Sequence, residues 1–251
     1  MSRATAQRGI SLFIVMVIVL LTMLVVVWAS RTALFNEMVT GNDSDYQRAV
    51  EAAQAMVRDA ELDITGLQSD RKTPCASNCR PAPLPSNVDI ANGKVYFPPS
   101  SDKGDDESDL ELLKTLLAAK TPSCVAGICV AVPGHLVTEF WKSKTDLDAM
   151  KPMGARYGQY TGAAAGQVGN PLLVSTSAAD AAAFYWVEPI PYKTNGSAAS
   201  REFAPVGGDA SAEAVGVVYR ITAVSRGLKP GTQAVIQTIF VRKEASGGGA
   251  S

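Results

Sequence analysis

Four cysteines stand in two close pairs, Cys75 with Cys79 and Cys124 with Cys129. Thiols so placed have two chemistries. In an oxidising compartment an even count reads as two disulfides, and four cysteines allow three connectivities. The pairings Cys75 to Cys79 and Cys124 to Cys129 are favoured because each pair sits in a Pro- or Gly-containing loop that can bend back; the crossed pairings would tie two loops together and stay open. Four thiolates also suit a structural zinc site, but spacings of three and four intervening residues match loosely, and no metal is expected. The single histidine, His135, follows Pro133-Gly134 in a turn-like context. With no Gly-x-Ser-x-Gly elbow and no metal-ligand spacing around it, catalysis finds little support. Asp102, Asp105, Asp106, Glu107, Asp109 and Glu111 offer oxygen ligands for calcium but lack the EF-hand spacing. They suit the start of a helix, where negative charge meets the positive end of the dipole. No catalytic residue and no cofactor is expected. With 23 basic against 24 acidic side chains, net charge −1, nucleic acid is not an expected partner.

Oxidised thiols require export, and the N-terminus supplies the means. From Ile10 to Trp28 nineteen consecutive residues carry no charge, and at ~1.5 Å per residue they span about 28 Å, close to the hydrocarbon thickness of a bilayer. Arg3 and Arg8 precede the run and no acidic residue does, so the N-terminus is expected on the cytoplasmic side, although Arg31 weakens the asymmetry. The run is too long for an ordinary secretory signal, whose apolar region is about 7 to 15 residues.

The segment after the membrane run keeps a helical period. Ala49, Ala52, Ala53, Met56, Val57 and Ala60 share one face, with Arg48, Glu51, Arg58, Asp59 and Glu61 largely elsewhere on the wheel. Between the two apolar stretches, Thr40-Gly41-Asn42-Asp43 predicts a kink or a melted turn, since Gly costs about 1 kcal/mol relative to Ala.

Beyond Gly66 the chain is rich in Pro, Ser and Asn to about Ser101, with Lys94 to Phe97 the only strand-like stretch. Ser108 with Glu111 reads as a capping box for a helix whose face is Leu112, Leu113, Leu116 and Leu117 and which ends before Pro122. A second short helix is expected from Thr145 to about Met150. Ala183 to Ile190, Val215 to Val224 and Ala234 to Val241 read as strands, the last two a hairpin with Val217, Tyr219 and Ile221 on one face and Arg220 and Thr222 on the other. This implies an antiparallel sheet with one face buried, covered by the helix of Ala49 to Ala60. Asn195-Gly196-Ser197 and Asn42-Asp43-Ser44 match the glycosylation tripeptide by chance and receive no role.

The leader ending Gln7-Arg8-Gly9, the apolar run from Ile10 and the amphipathic continuation resemble the class III signal of type IV pilins and pseudopilins. Gln7 to Leu12, Glu37 to Asn42, Ala49 to Ala53, Arg58 to Glu61, Arg156 to Gly162, Val218 to Ala223 and Gly231 to Thr238 more narrowly resemble PilX-type minor pilins. The resemblance implies an α+β, pilin-like fold: a long N-terminal membrane-spanning helix packed on an antiparallel β-sheet with loop and short-helix insertions. It divides the chain into a leader (1–9), a transmembrane segment (10–28), its amphipathic continuation (29–65), a periplasmic globular domain (66–245) and a flexible tail (246–251).

It also implies cleavage by prepilin peptidase between Gly9 and Ile10 and N-methylation of Ile10. Most pilins carry a glutamate at the position that is Ile14 here. Without that carboxylate nothing neutralises a neighbouring subunit's ammonium, which favours a tip position over repetition along the shaft. Expected partners are the inner membrane, PilV-, PilW- and FimU-like minor pilins and a large tip adhesin, in a complex that primes pilus growth for adhesion and twitching motility. The alternatives are a K-like pseudopilin of type II secretion, which also explains Ile14, and a single-span periplasmic binding protein or enzyme that never enters a filament.

Overall fold

The computed structural model describes residues 10–76, 79–81, 88–98, 106–132, 139–163, 169–174, 177, 181–194, 201–203 and 214–242. Two units make up the chain, Met1–Asp45 and Tyr46–Ser251. The described part of the first is helical throughout and belongs to helix α1 (Ile10–Thr65). Thr40 to Asp43 lie inside that helix, so the melted turn expected there does not form. The penalty of one Gly and two weak formers is small beside a hydrogen-bond ladder already nucleated on both sides.

Helix α1 ends in a Schellman motif. Gly66 takes the left-handed conformation at φ 69°, its N–H donates to the Asp63 carbonyl and the Leu67 N–H to the Leu62 carbonyl, so two of the last carbonyls are satisfied.

In the second unit a six-stranded sheet has the order β1-β2-β3-β5-β6, with β4 also paired to β3. Its strands are β1 (Cys124–Val125), β2 (Ile128–Cys129), β3 (Ala183–Thr194), β4 (Arg201–Phe203), β5 (Ala214–Arg226) and β6 (Gln233–Phe240). All pairings are antiparallel except β2 with β3, which meet in parallel at Ile128 and Val187. Strand β3 runs past Ile190 through two prolines. The Tyr185 and Val187 N–H groups donate away from β5, to the Ala155 and Gly127 carbonyls. Pro189 and Pro191 share that parity, so their missing N–H groups fall on the side away from β5, and the β3–β5 ladder keeps its donors.

One core lies between sheet and helix. Ala49, Ala52, Ala53, Met56, Ala60 and Ile64 of α1 are buried with Tyr185, Val187, Val217, Tyr219, Ile221 and Ala223. Four of the six helix residues are alanines, and most of the large side chains come from the strands. The hairpin faces are as the alternation implies, with Arg220 on the far side ion-paired to its register partner Glu188.

That far face is not bare, as a sheet with one buried face would require. Phe184, Trp186 and Val224 pack there against Phe140, Leu147, Met150 and the Cys124–Cys129 bridge. The cover comes from helix α3 (Lys144–Met150), N-capped by Ser143, and the 3₁₀ turn Phe140–Lys142 before it. Aromatic residues at even positions of β3 make this face apolar where a solvated one would be polar.

Helix α2 spans Asp106–Ala118. Ser108 therefore lies inside it rather than at its N-cap, the acidic residues before it being able to open a helix as well as Ser. The buried face is Leu110, Leu113 and Leu117, with Leu112 and Leu116 half-buried. Lys94 to Phe97 forms no strand; Lys94 makes one isolated bridge to Asp89, and Val95, Tyr96 and Phe97 are buried.

Candidate functional site

Two features of the chain can do work: an apolar helix surface in the first unit and a buried charged cluster in the second.

Every side chain from Ser11 to Trp28 is exposed. Between Ser11 and Asn36 the sole charge is Arg31, and Ile14 is 50% exposed. The hydroxyls turn inward: Thr22 Oγ1 donates to the Val19 carbonyl at 2.9 Å and Thr32 Oγ1 to the Trp28 carbonyl at 3.0 Å. With these two hydroxyls bonded to the helix's own carbonyls, the surface is apolar, and its length suits a bilayer. Gly9 lies outside the described residues, and Ile10 is the first residue of α1.

The cysteines are paired, Cys75 with Cys79 and Cys124 with Cys129. Cys124 and Cys129 face each other across β1 and β2, whose turn residues Ala126 and Gly127 both have positive φ, 52° and 82°. That is the two-residue hairpin geometry in which glycine is favoured. A Cβ on Gly127 would lie 2.7 Å from the Ala155 Cβ.

The Cys75–Cys79 bridge immediately precedes Arg80, whose side chain is 6% exposed and whose guanidinium is the centre of the cluster. Nε donates to both Asp63 carboxylate oxygens at 2.9 Å, and Nη2 donates to Asp63 Oδ2 at 2.7 Å and to the Ala126 carbonyl at 2.8 Å. The guanidinium lies over the rings of Tyr160 and Phe97, 3.9 Å and 4.6 Å from their centroids. Its Nη1 has no hydrogen-bond partner, and these two ring faces are its compensation. Tyr185 of β3 donates its hydroxyl to Asp63 Oδ2 at 2.7 Å.

One turn earlier Asp59, 2% exposed, accepts from the Thr161 hydroxyl and, at 2.8 Å, from the Gly158 N–H. Burial lifts the Asp59 carboxyl to about 6, with Thr161 and Gly158 acting against the rise and Asp63 adding to it. Burial also pushes the Asp63 carboxyl up, opposed by Arg80 and the Tyr185 hydroxyl. The Tyr185 phenol is raised well above its ordinary value, chiefly by burial.

These contacts join α1, the disulfide-closed loop, the β1–β2 turn, the Arg156–Gly162 loop and β3. Asp59, expected largely away from the apolar face of α1, is thus buried with it. The signal was present: Ala52, Met56, Asp59 and Asp63 are spaced by four, three and four, which puts both carboxylates on the buried stripe. Arg80 had no such signal, because its partner is 17 positions away and only the folded loop brings it there.

Among the described residues no group of three or more His, Cys, Asp or Glu side chains is arranged to hold a metal ion. His135, Asp102, Asp105 and the Asn195-Gly196-Ser197 tripeptide lie outside the described residues.

A long helix, apolar at its start and laid across an antiparallel sheet further on, with disulfide-closed loops around it, defines a pilin. The chain belongs to the PilX family of type IV pilus assembly proteins: the family described as type IV pilus assembly protein PilX C-term matches residues 117–242, and PilX N-terminal matches residues 8–58. No curated protein and no solved structure matches. The family is a structural component of the pilus and assembles with other pilus components, and the one apolar N-terminal helix fits a single-pass membrane pilin. Asp59, Asp63 and Arg80 fall between the two matched segments, whereas Thr161, Tyr160 and Tyr185 fall within the second.

Proposed function

We propose that this minor pilin acts in the tip or priming complex that initiates pilus growth, in support of adhesion and twitching motility. Prepilin peptidase removes 1–9, a leader with two arginines, cutting between Gly9 and Ile10, and Ile10 is N-methylated. The mature chain then has 21 basic and 24 acidic residues. It waits in the inner membrane with its N-terminus cytoplasmic and residues 66–245 in the periplasm, residues 246–251 forming a tail. Assembly exchanges lipid around the apolar helix for the helices of PilV-, PilW- and FimU-like minor pilins, beneath a large tip adhesin.

The observation that carries this reading is the exposed apolar surface from Ser11 to Trp28 with Ile14 in place of a carboxylate. Such a surface offers side-by-side packing but no counter-charge for the ammonium of a subunit above it. The family match at both ends of the chain supports the pilus over a secretion pseudopilus.

Intact-mass and N-terminal analysis of the membrane-extracted protein, with and without prepilin peptidase, is the test. A mature chain beginning at methylated Ile10, together with immunogold label confined to pilus ends, is the expected result. A chain that still begins at Met1 removes the filament reading, and label along the shaft removes the tip.

A further inference from the structure

Charge within the cluster does not balance. Two carboxylates, Asp59 and Asp63, are buried one helical turn apart, and the one guanidinium beside them, Arg80, pairs with Asp63 and with the Ala126 carbonyl, not with Asp59. The groups facing Asp59 are Asp63 from its own helix, Thr161, Tyr157 and the Gly158 N–H from the Arg156–Gly162 loop, and Tyr185 from β3. None is a cation. With both carboxylates ionised the cluster holds a net negative charge out of water; with one proton bound it is neutral. A cleft of about 170 Å³, lined by Asp63, Arg80, Tyr96 and Tyr160 among others, borders the Asp63–Arg80 end of the cluster, and Asp59 is not in its lining.

We infer that the folded domain binds one proton at Asp59, and that this proton controls how firmly the Arg156–Gly162 loop is held against α1. The proton comes from solvent and sits on Asp59 Oδ1. The acid and the Thr161 hydroxyl share the short Oδ1–Oγ1 contact, and the Gly158 N–H continues to donate to Oδ2. When the proton leaves, the ionised carboxylate is better solvated with the loop lifted than with it closed, so ionisation and loop opening favour each other. Tyr160 rides on the same loop and covers Arg80, so opening also uncovers the second ion pair. The upward shift of Asp59 to about 6 agrees with this assignment and corresponds to roughly hundredfold tighter proton binding than at an exposed aspartate. A periplasmic domain faces the pH of the medium, so the device operates where that pH crosses 6.

Amide hydrogen exchange on the full chain in detergent micelles tests this, read by mass spectrometry over peptides covering 156–162 and corrected for the intrinsic pH dependence of exchange. Protection is expected to fall about tenfold or more from pH 5 to pH 7.5, and Asp59→Asn, which keeps an acceptor without a charge, to abolish the step. Equal protection at both pH values, or a step that survives Asp59→Asn, overturns the proposal. If Asp59→Asn does not fold, the wild-type protein decides by infrared titration: a carboxylic acid band lost near pH 6 is expected, and a titration complete below pH 5 overturns the assignment.

Discussion

Arg80 forks onto both carboxylate oxygens of Asp63 at 2.7 to 2.9 Å, although the two residues lie on different elements, one at the end of a helix and the other just past a disulfide-closed loop. The Asp63 side chain is 1% exposed and that of Arg80 is 6% exposed, so neither charge has water to fall back on. The pair ties the last turn of α1 to the loop closed by Cys75–Cys79, and Arg80 Nη2 extends the tie to the β1–β2 turn at Ala126.

Removing one partner is therefore expected to cost more than the pair itself contributes. Arg80→Ala leaves Asp63 buried beside Asp59 without a counter-charge and is expected to destabilise the chain by about 3–5 kcal/mol. The double variant Arg80→Met with Asp63→Leu should recover much of that loss. Urea unfolding of both variants in micelles checks this, and a loss under ~1 kcal/mol for Arg80→Ala alone contradicts it.

Stability should depend on pH with a definite sign. Asp59 titrates at about 6 when folded against an ordinary 3.8, so the folded state binds more protons between those values. The stabilisation linked to that proton is fully present below pH 3.8, declines as pH rises through 6 and is gone above it. Two pKa units correspond to about 3 kcal/mol. Thermal unfolding of the wild type and Asp59→Asn across pH 4 to 7.5 measures it: the difference between them should change steadily over that window and level off above it.

Two glycines are expected to resist substitution. Gly158 has φ 70° and a Cβ there would strike the Ala163 carbonyl oxygen; Gly127 has φ 82° and would meet Ala155. Gly158→Ala and Gly127→Ala should each cost about 1–3 kcal/mol or more through backbone strain and displaced neighbours. At Gly231, with φ 88° and open space around it, Gly→Ala should cost only the strain. Equal losses at all three positions, measured by chemical denaturation, would remove the packing part of the argument.

On the proposed tip reading, Ile14→Glu introduces the carboxylate whose absence keeps the subunit from repeating. It is expected to move the protein from pilus ends into the shaft, or to let it recur there, because a buried glutamate gains a partner only beneath another subunit's ammonium. Immunogold labelling of sheared pili is the measurement; label that stays at the ends with normal piliation counts against the tip reading.

Much of this fold can be read from residue order. The nineteen uncharged residues from Ile10, the Ala49–Ala60 stripe and the Val217–Tyr219–Ile221 alternation each state a local period, and a period needs no knowledge of the rest of the chain. The turn at Gly66 is equally local. What the folded chain alone decides is where unlike segments meet. Phe184 and Trp186 could have faced water or a cover; α3 and the Phe140–Lys142 turn made it a cover, and β3 is buried on both faces from Phe184 to Val187. Asp59 and Asp63 could have been surface carboxylates on a helix rich in charge. They became a buried pair because an arginine 17 residues on, a loop a hundred residues on and a strand tyrosine further still converge on the same turn of α1. Such convergence leaves no mark in any one segment, since the stabilisation belongs to contacts whose partners are set only once the loops have closed over the helix.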